Sequence, residues 1–497
     1  MPPGLVLAID QGTTNTKALL VARSGRPVFR SSSPVGLIHA EGERVEQDPL
    51  ALWESVSKAI ADCVSFAAQA GASIEALAIS NQRETAVAWD AETGKPLANA
   101  ISWQCLRSAE ICQRLASHAY SIRAKTGLPL STLLGAGKWA WLLENNAAAQ
   151  TSAKNGRLRL GTVDSWIAHQ LTGGKSHATD FSNASRTGLL NLNRHAWDSG
   201  LLDLFGIPLA SMPELRSSSG SFGTCDGVTG LEGVPILAAI GDSHAAMFGH
   251  GRYAPGTVKA TYGTGSSLMS LTNGLAADLP ILARTVAWSI DGQTQFALEG
   301  NIAMTGSAVQ WVGEFLEATE PAQSAARLAA SVPNADGVYF VPAMVGLGAP
   351  HWDAAVRGMI TGLGRTHTSA HLAHAAVDAI AYQVADVFIA MEDAGGLALP
   401  ALHADGGATR NSALMQFQAD ILGLPVLRST NEELSAIGAA WLAGLALGWW
   451  KSLEEIAELP HTVDQFSPSM ENAECHRLYS GWKKAVKHAR SIAEAGE

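Results

Sequence analysis

Short apolar runs alternate with stretches of helical period along the first half of the chain. Leu5–Ile9 is continuously apolar, breaks at Asp10-Gln11-Gly12-Thr13-Thr14, resumes as Lys17–Ala22, and turns at Ser24-Gly25 into a further strand from Val28. This pattern predicts a β-hairpin carrying a polar loop. Asp48-Pro49 has the form of an N-cap followed by proline at the first helical position, and Leu52, Val56, Ile60 and Cys63 recur at helical spacing behind it. Ala76–Ser80 and Thr85–Trp89 predict short strands, with Glu92–Lys95 turning into another near Ile101.

The same design recurs further on. Val234–Ile240 has the pattern of a buried strand and ends in Gly241-Asp242-Ser243-His244; Gly256–Thr264 enters another turn rich in glycine and threonine. Helices predicted at about Thr368–Asp393 and Glu433–Leu447 flank Leu402–Ala408, a strand that breaks into a glycine turn. Strands alternating with helices predict an α/β protein, and the second round sets the expected domain boundary near residue 245, dividing 1–245 from 246–497.

A chain of 497 residues exceeds the usual size of one hydrophobic core, which agrees with two domains. The net charge of −11 comes with no basic stripe, so nucleic acid is not the expected partner and a small molecule is. Cys63, Cys105, Cys112, Cys225 and Cys475 are odd in number and lack CxxC spacing, which predicts free thiols in a reducing compartment and no zinc site. No export leader is expected at the N-terminus. The apolar stretch Ala439–Trp450, interrupted by Gly444 and Gly448, falls short of the roughly 20 residues that span a bilayer. The expectation is a cytoplasmic protein with no membrane partner, in which the Asn183-Ala184-Ser185 triplet carries no glycan.

Three loops carry candidate chemistry. The Asp10–Thr14 loop offers backbone N–H groups, hydroxyls and a carboxylate suited to hydrated Mg2+, with Lys17 following as a phosphate cation; alone, it reads equally as a polar hairpin turn. Similar chemistry returns at Gly263-Thr264-Gly265-Ser266-Ser267, and a third glycine turn stands at Asp405–Ala408. Together they point to nucleotide phosphates, although neither GxxxxGK[ST] nor GxGxxG occurs. Asp242, just past an apolar strand, is either a proton acceptor for an alcohol or the N-cap of the next helix. Arg83 and Glu84 form a donor–acceptor fork for adjacent hydroxyls or a surface salt bridge; Trp103 lies against substrate carbons or simply packs. His244 lacks companions for a metal site and reads as lining a pocket or capping a helix.

In order along the chain, LAIDQGTTNTK, VEQDP, NQRETAVAWDAETGKPLANAISWQC, GTVDSWIAHQLTGG, TDFSNASRTGLLN, GDSHAAMFG, TYGTG, EGNIAMTGSAVQW, FVPAMVGLGAPHWD, DGGATRNSALMQFQADILG and IGAAWLAGLALG resemble the FGGY carbohydrate kinases, and among them the glycerol kinases. The resemblance implies two actin-like, ribonuclease-H-like domains closing on an interdomain cleft, and transfer of the γ-phosphate of ATP, with Mg2+, to a hydroxyl of a small polyol or sugar. By position it implies Asp242 as catalytic base and Asp10, with Asp242, as the carboxylates associated with the metal. Thr13, Thr14, Lys17, Thr264, Gly265, Gly306, Gln310, Gly407 and Asn411 would surround ATP; Arg83, Glu84, Trp103, Asp242, Ser243 and His244 would line the acceptor site.

The departures bear on the acceptor. Leu133 stands where the glycerol kinases have tyrosine, Ser243-His244 where they have Gln-Gln, and Ser267 where they have phenylalanine. Lost aromatic and hydroxyl groups enlarge a pocket and change its hydrogen bonds, so the expected acceptor is glycerol or a somewhat larger polyol or ketose. A xylulokinase-type ketose kinase and a non-catalytic actin-like nucleotide switch are the alternatives. Gly227–Gly233 matches the glycine-rich loop, ending in arginine, that binds fructose 1,6-bisphosphate in some bacterial glycerol kinases, but contains no arginine and an added acid, so the resemblance implies no such inhibition here. Family members include homodimers and homotetramers, and no apolar run in the sequence selects between them.

Overall fold

The computed structural model describes residues 4–40 and 44–495; residues 1–3, where no leader was expected, lie outside them. The chain divides into two compact units. The first comprises Met1–Tyr253, Arg284–Ala297 and Glu433–Pro460; the second comprises Ala254–Ala283, Leu298–Glu432 and His461–Glu497. The second half of the sequence therefore supplies two segments to the first unit.

In the first unit, β1 (Gly4–Gln11), β2 (Asn15–Ala22) and β3 (Pro27–Pro34) form an antiparallel meander. β4 (Ser73–Asn81) joins β1 in parallel, and β5 (Pro235–Gly241) joins β4 in parallel. The apolar run of β1 is continuous because both of its faces are covered. Leu5, Leu7 and Ile9 enter a core with Leu52, Val56, Ile60 and Cys63 of α1 (Pro49–Gln69). That helix starts as its sequence dictates: the Asp48 carboxylate accepts from Leu50 N–H at 2.8 Å and Pro49 fills the first position. The helix Leu434–Ala446 packs across β1, β4 and β5, and its Trp441 indole N–H donates to the Gly25 carbonyl at 3.0 Å.

Register fixes where the polar loops emerge. Asp10 lies beside Ser80 on β4, and Ser80 lies beside Ile240 on β5, so the three parallel strands end at one level. The Asp10 loop, Asn81–Glu84 and Asp242 are thereby brought to one edge, the carboxyl ends of the strands, where α/β sheets place ligands.

The second unit repeats the arrangement. β6 (Val258–Tyr262) pairs antiparallel with β7 (Ser266–Leu271) and parallel with β8 (Leu402–Asp405), which is parallel with β9 (Val426–Ser429). Two further helices enter the argument, α2 (Asp242–Gly249) in the first unit and α3 (Gly306–Phe315) in the second. The longest buried helix, α4 (Ser369–Gly395), has 27 residues and is long and apolar enough to cross a membrane; 78% of its most apolar window is buried inside the protein. Leu372, Ile380, Val384, Val387 and Phe388 enter one core with Val258, Tyr262 and Leu402. The five cysteines are free, as expected, with Cys63, Cys105 and Cys225 buried. Asn183 is fully buried, which closes it to a glycan.

Candidate active site

At the strand ends of the first unit the hairpin loop is closed by Gly12 N–H donating to the Asn15 carbonyl at 3.0 Å. Below it, buried Gln82 donates to Gln11 and Gln47 (both 2.9 Å), and Gln47 in turn donates to the Thr13 carbonyl at 2.8 Å. Thr85 donates to Gln82 at 3.0 Å and accepts from the Trp103 backbone N–H at 3.1 Å. The Trp103 indole N–H reaches the Thr13 hydroxyl at 3.0 Å. Trp103 is partly exposed (37%), with an edge anchored to the loop, and is not a core residue. Gln82 and Gln47, which carried no expected role, hold this loop.

Asp10 accepts from Ser80 Oγ at 2.8 Å. Removal from water and then the nearby Asp242 carboxylate push its pKa up to about 6, against the opposing pull of Ser80 and Lys17. Lys17 Nζ meets Glu433 at 2.7 Å and Arg30 meets the same carboxylate at 2.8 Å, so in this structure the lysine expected to face phosphate is held by an acid from the returning segment. Thr14 is exposed at the tip of the loop.

Asp242 is the first residue of α2, whose N-cap is Gly241, and its carboxylate accepts from the next N–H, Ser243, at 2.6 Å. Arg83 Nε lies 3.3 Å from Asp242 Oδ1. Glu84 is buried and paired with Arg186, whose Nε donates to Oε1 at 2.7 Å; the surface salt bridge open from the sequence is thus a buried one, with a partner 102 positions away. Ser243 is largely buried, and His244 is fully buried with Nε2 3.2 Å from Thr285 Oγ1. The carbonyl of Leu133 accepts from Lys138 Nζ at 2.5 Å. Lys138 is fully buried, which lowers its pKa to about 8 although Glu84 nearby favours its charge.

In the second unit the Gly263–Gly265 turn links β6 to β7 and is clamped by the start of α3. Gly306 N–H donates to the Gly263 carbonyl, and Thr305 and Ser307 N–H donate to that of Thr264, each at 3.0 Å. A side chain on Gly306 would place Cβ 2.6 Å from that Gly263 oxygen, so glycine is required for the approach. Gly407 follows β8, beside β6, and a Cβ there would meet nothing within 4 Å. Asn411 caps the helix Ser412–Leu422, accepting from Ala413 and Leu414 N–H at 3.1 and 3.2 Å. Gln310 is exposed on α3 and donates to Glu314 at 2.8 Å. Ser267 donates to Glu299 at 3.2 Å. Thr264, Gly265 and Gly306 thus form one constellation and Gly407 lies on the adjoining strand end.

Among the described residues no group of three or more His, Cys, Asp or Glu side chains gathers as a metal cage. A pair of carboxylates, Asp10 and Asp242, in the first unit and a glycine-lined turn in the second are what the fold offers. The N-terminal domain model of the FGGY family of carbohydrate kinases matches residues 5–249, and the C-terminal domain model of the same family matches residues 258–447. The chain is 46% identical to an apulose kinase of Pectobacterium atrosepticum, covering 99% of both, and 44% identical to a glycerol kinase of Symbiobacterium thermophilum, covering 99% of this chain and 100% of that one. It superposes on a crystal structure of Plasmodium falciparum glycerol kinase with ADP with a TM-score of 0.91 at 30% identity, over 98% of each chain. The chain belongs to the FGGY family of carbohydrate kinases, phosphotransferases that act on an alcohol group, and has their actin-like two-domain fold.

Proposed function

We propose that this kinase uses ATP to phosphorylate a polyol or ketose larger than glycerol, held at the strand ends of the first unit. The observation that carries the reading is the convergence of Arg83, Asp242 and Asp10 on one edge, beside the buried Glu84 and the anchored Trp103. Arg83 and Glu84 offer donors and an acceptor to neighbouring hydroxyls, and the indole of Trp103 offers an apolar face to the carbons between them. Asp242 takes the hydroxyl proton as the oxygen attacks phosphorus, and Arg83, beside it, orients that carboxylate.

In the first unit the Thr13-Thr14 turn offers N–H groups and hydroxyls to nucleotide phosphates; in the second the Thr264-Gly265 turn, with Gly306 and Gly407, does so, and Gln310 and Asn411 are further candidate nucleotide contacts of that unit. Asp10 and Asp242 suit a divalent cation: the second carboxylate raises the pKa of the first, a repulsion that bound positive charge relieves. Two carboxylates without a cage agree with Mg2+, which keeps waters and takes phosphate oxygens as ligands. When bound, Mg2+ neutralises charge developing on the transferred phosphoryl group.

The size of the acceptor rests on Leu133, at the position where the resemblance to glycerol kinases implies tyrosine, and on the similarity to an apulose kinase. The test is ADP release over glycerol, erythritol, threitol, the pentitols, xylulose and apulose, with Asp242→Asn as control. Strong turnover on a four- or five-carbon acceptor, lost in the control, supports the reading. Glycerol as the sole good substrate would overturn the size assignment, and ATP turnover indifferent to every acceptor would favour a nucleotide switch.

A further inference from the structure

The segment Asp180–Arg186, which contains the short helix Phe181–Ala184, is tied to the neighbourhoods of Glu84, Asp242 and His244. Asn183 and Asn81 exchange amide hydrogen bonds at 3.0 and 3.1 Å, fixing the segment to the end of β4. Ser182 Oγ accepts from Gly241 N–H at 2.9 Å, one residue before Asp242. Ser185 Oγ lies 2.8 Å from Thr285 Oγ1, the same hydroxyl that meets His244. Asp180 steadies the segment itself, accepting from Ser182 and Asn183 N–H at 2.9 Å each and from Ser218 Oγ at 2.6 Å.

The last tie is the most demanding. Glu84 holds a φ of 61°, a left-handed conformation that costs a non-glycine residue energy and persists only where the surroundings enforce it. Its carboxylate is buried, and a buried carboxylate requires a cation. Arg186, itself 2% exposed, meets it through Nε on Oε1. A guanidinium placed on Oε1 in this way fixes the carboxylate plane, and with it the direction of Oε2.

We propose that Arg186 is a positioning residue for the acceptor: it holds Glu84 Oε2 toward a substrate hydroxyl, and the Asp180–Arg186 segment is the bracket that aligns Glu84, Asp242 and His244. This rests on the acceptor site proposed above. The bracket touches no nucleotide-facing turn of the first unit in any of these bonds, so its effect falls on the acceptor.

The experiment is steady-state kinetics with varied acceptor and varied ATP on Arg186→Gln, Arg186→Lys, Glu84→Gln and the double variant Glu84→Gln/Arg186→Gln. Arg186→Gln is expected to raise the acceptor KM about tenfold or more with the ATP KM unchanged, and Arg186→Lys, which keeps the charge, to raise it less. On the Glu84→Gln background the same Arg186 substitution is expected to add less than about twofold, because both act through one oxygen. Equal rises in both KM values, or full additivity in the double variant, would overturn the assignment. Should Arg186→Gln fail to fold, Arg186→Lys decides alone: the acceptor KM rising with the ATP KM fixed supports the proposal, and any other pattern sinks it. Failure of the acceptor site itself would appear in the wild type as turnover without acceptor dependence, whereas failure of the Arg186 assignment appears only in the variants.

Discussion

Arg83 Nε stands 3.3 Å from Asp242 Oδ1, with the arginine side chain largely buried and the carboxylate open to solvent. A guanidinium so placed orients the carboxylate through Oδ1. The expected consequence is that Asp242→Asn keeps the contact, since an amide oxygen accepts from Nε, while losing the ability to take a proton. Its kcat should fall about 10²- to 10⁴-fold with the acceptor KM and thermal midpoint little changed. Steady-state kinetics beside a thermal melt separate this from misfolding; a kcat within a few-fold of wild type would remove Asp242 from the proton transfer.

Leu133 is the substitution that most directly bears on acceptor size. Its carbonyl is tied to Lys138, whose charge Glu84 favours, so the segment lies close to the acceptor groups. Leu133→Tyr is expected to shift the ratio of kcat/KM for glycerol over the larger acceptor toward glycerol by about 10- to 100-fold, through lost room and a new hydroxyl. Competing-substrate assays measure that ratio; no change would place the size determinant elsewhere.

The hairpin loop and the Gly241-Asp242 turn were legible because apolar runs that stop at glycine and a polar cluster announce strand ends, and register then brings them together. The N-cap of α1 was legible for the same local reason. Partners from distant segments were not: Glu433 beside Lys17, Arg186 beside Glu84 and Thr285 beside His244 leave no periodic mark in the sequence. Neither did the return of Arg284–Ala297 and Glu433–Pro460 to the first unit. α4 was legible too: the helix predicted at about Thr368–Asp393 is observed at Ser369–Gly395.

Gly438 shows how the returning helix sets the edge that carries Asp242. A Cβ there would fall 1.9 Å from the Ala245 carbonyl oxygen of α2, and a Cβ on Gly249 would fall 2.6 Å from the Leu434 oxygen, so the two helices touch backbone to backbone. Ser435 Oγ donates to the Asp242 carbonyl at 3.1 Å across the same contact. Gly438→Ala is expected to destabilise the protein by about 1–3 kcal/mol and to lower kcat by moving α2. Urea unfolding and turnover on the same preparation check it; an unchanged midpoint would show that the contact yields freely.

His177 supplies the pH dependence of stability. Its ring packs edge-on to Trp89 at 5.2 Å, with Nε2 2.8 Å from the Leu160 carbonyl oxygen. Burial lowers its pKa from 6.5 to about 4, and the neighbouring Arg159 and His169 add to that. The folded protein therefore keeps a neutral ring where the unfolded chain takes up a proton. Its contribution is fully present above pH about 6.5 and is lost as pH falls toward 4, because protons then favour the unfolded state. Thermal midpoints measured across that interval should decline with acid, and His177→Gln, which cannot be protonated, should flatten the decline even where it lowers the midpoint at neutral pH. An equal acid slope in wild type and variant would assign the decline to other buried groups.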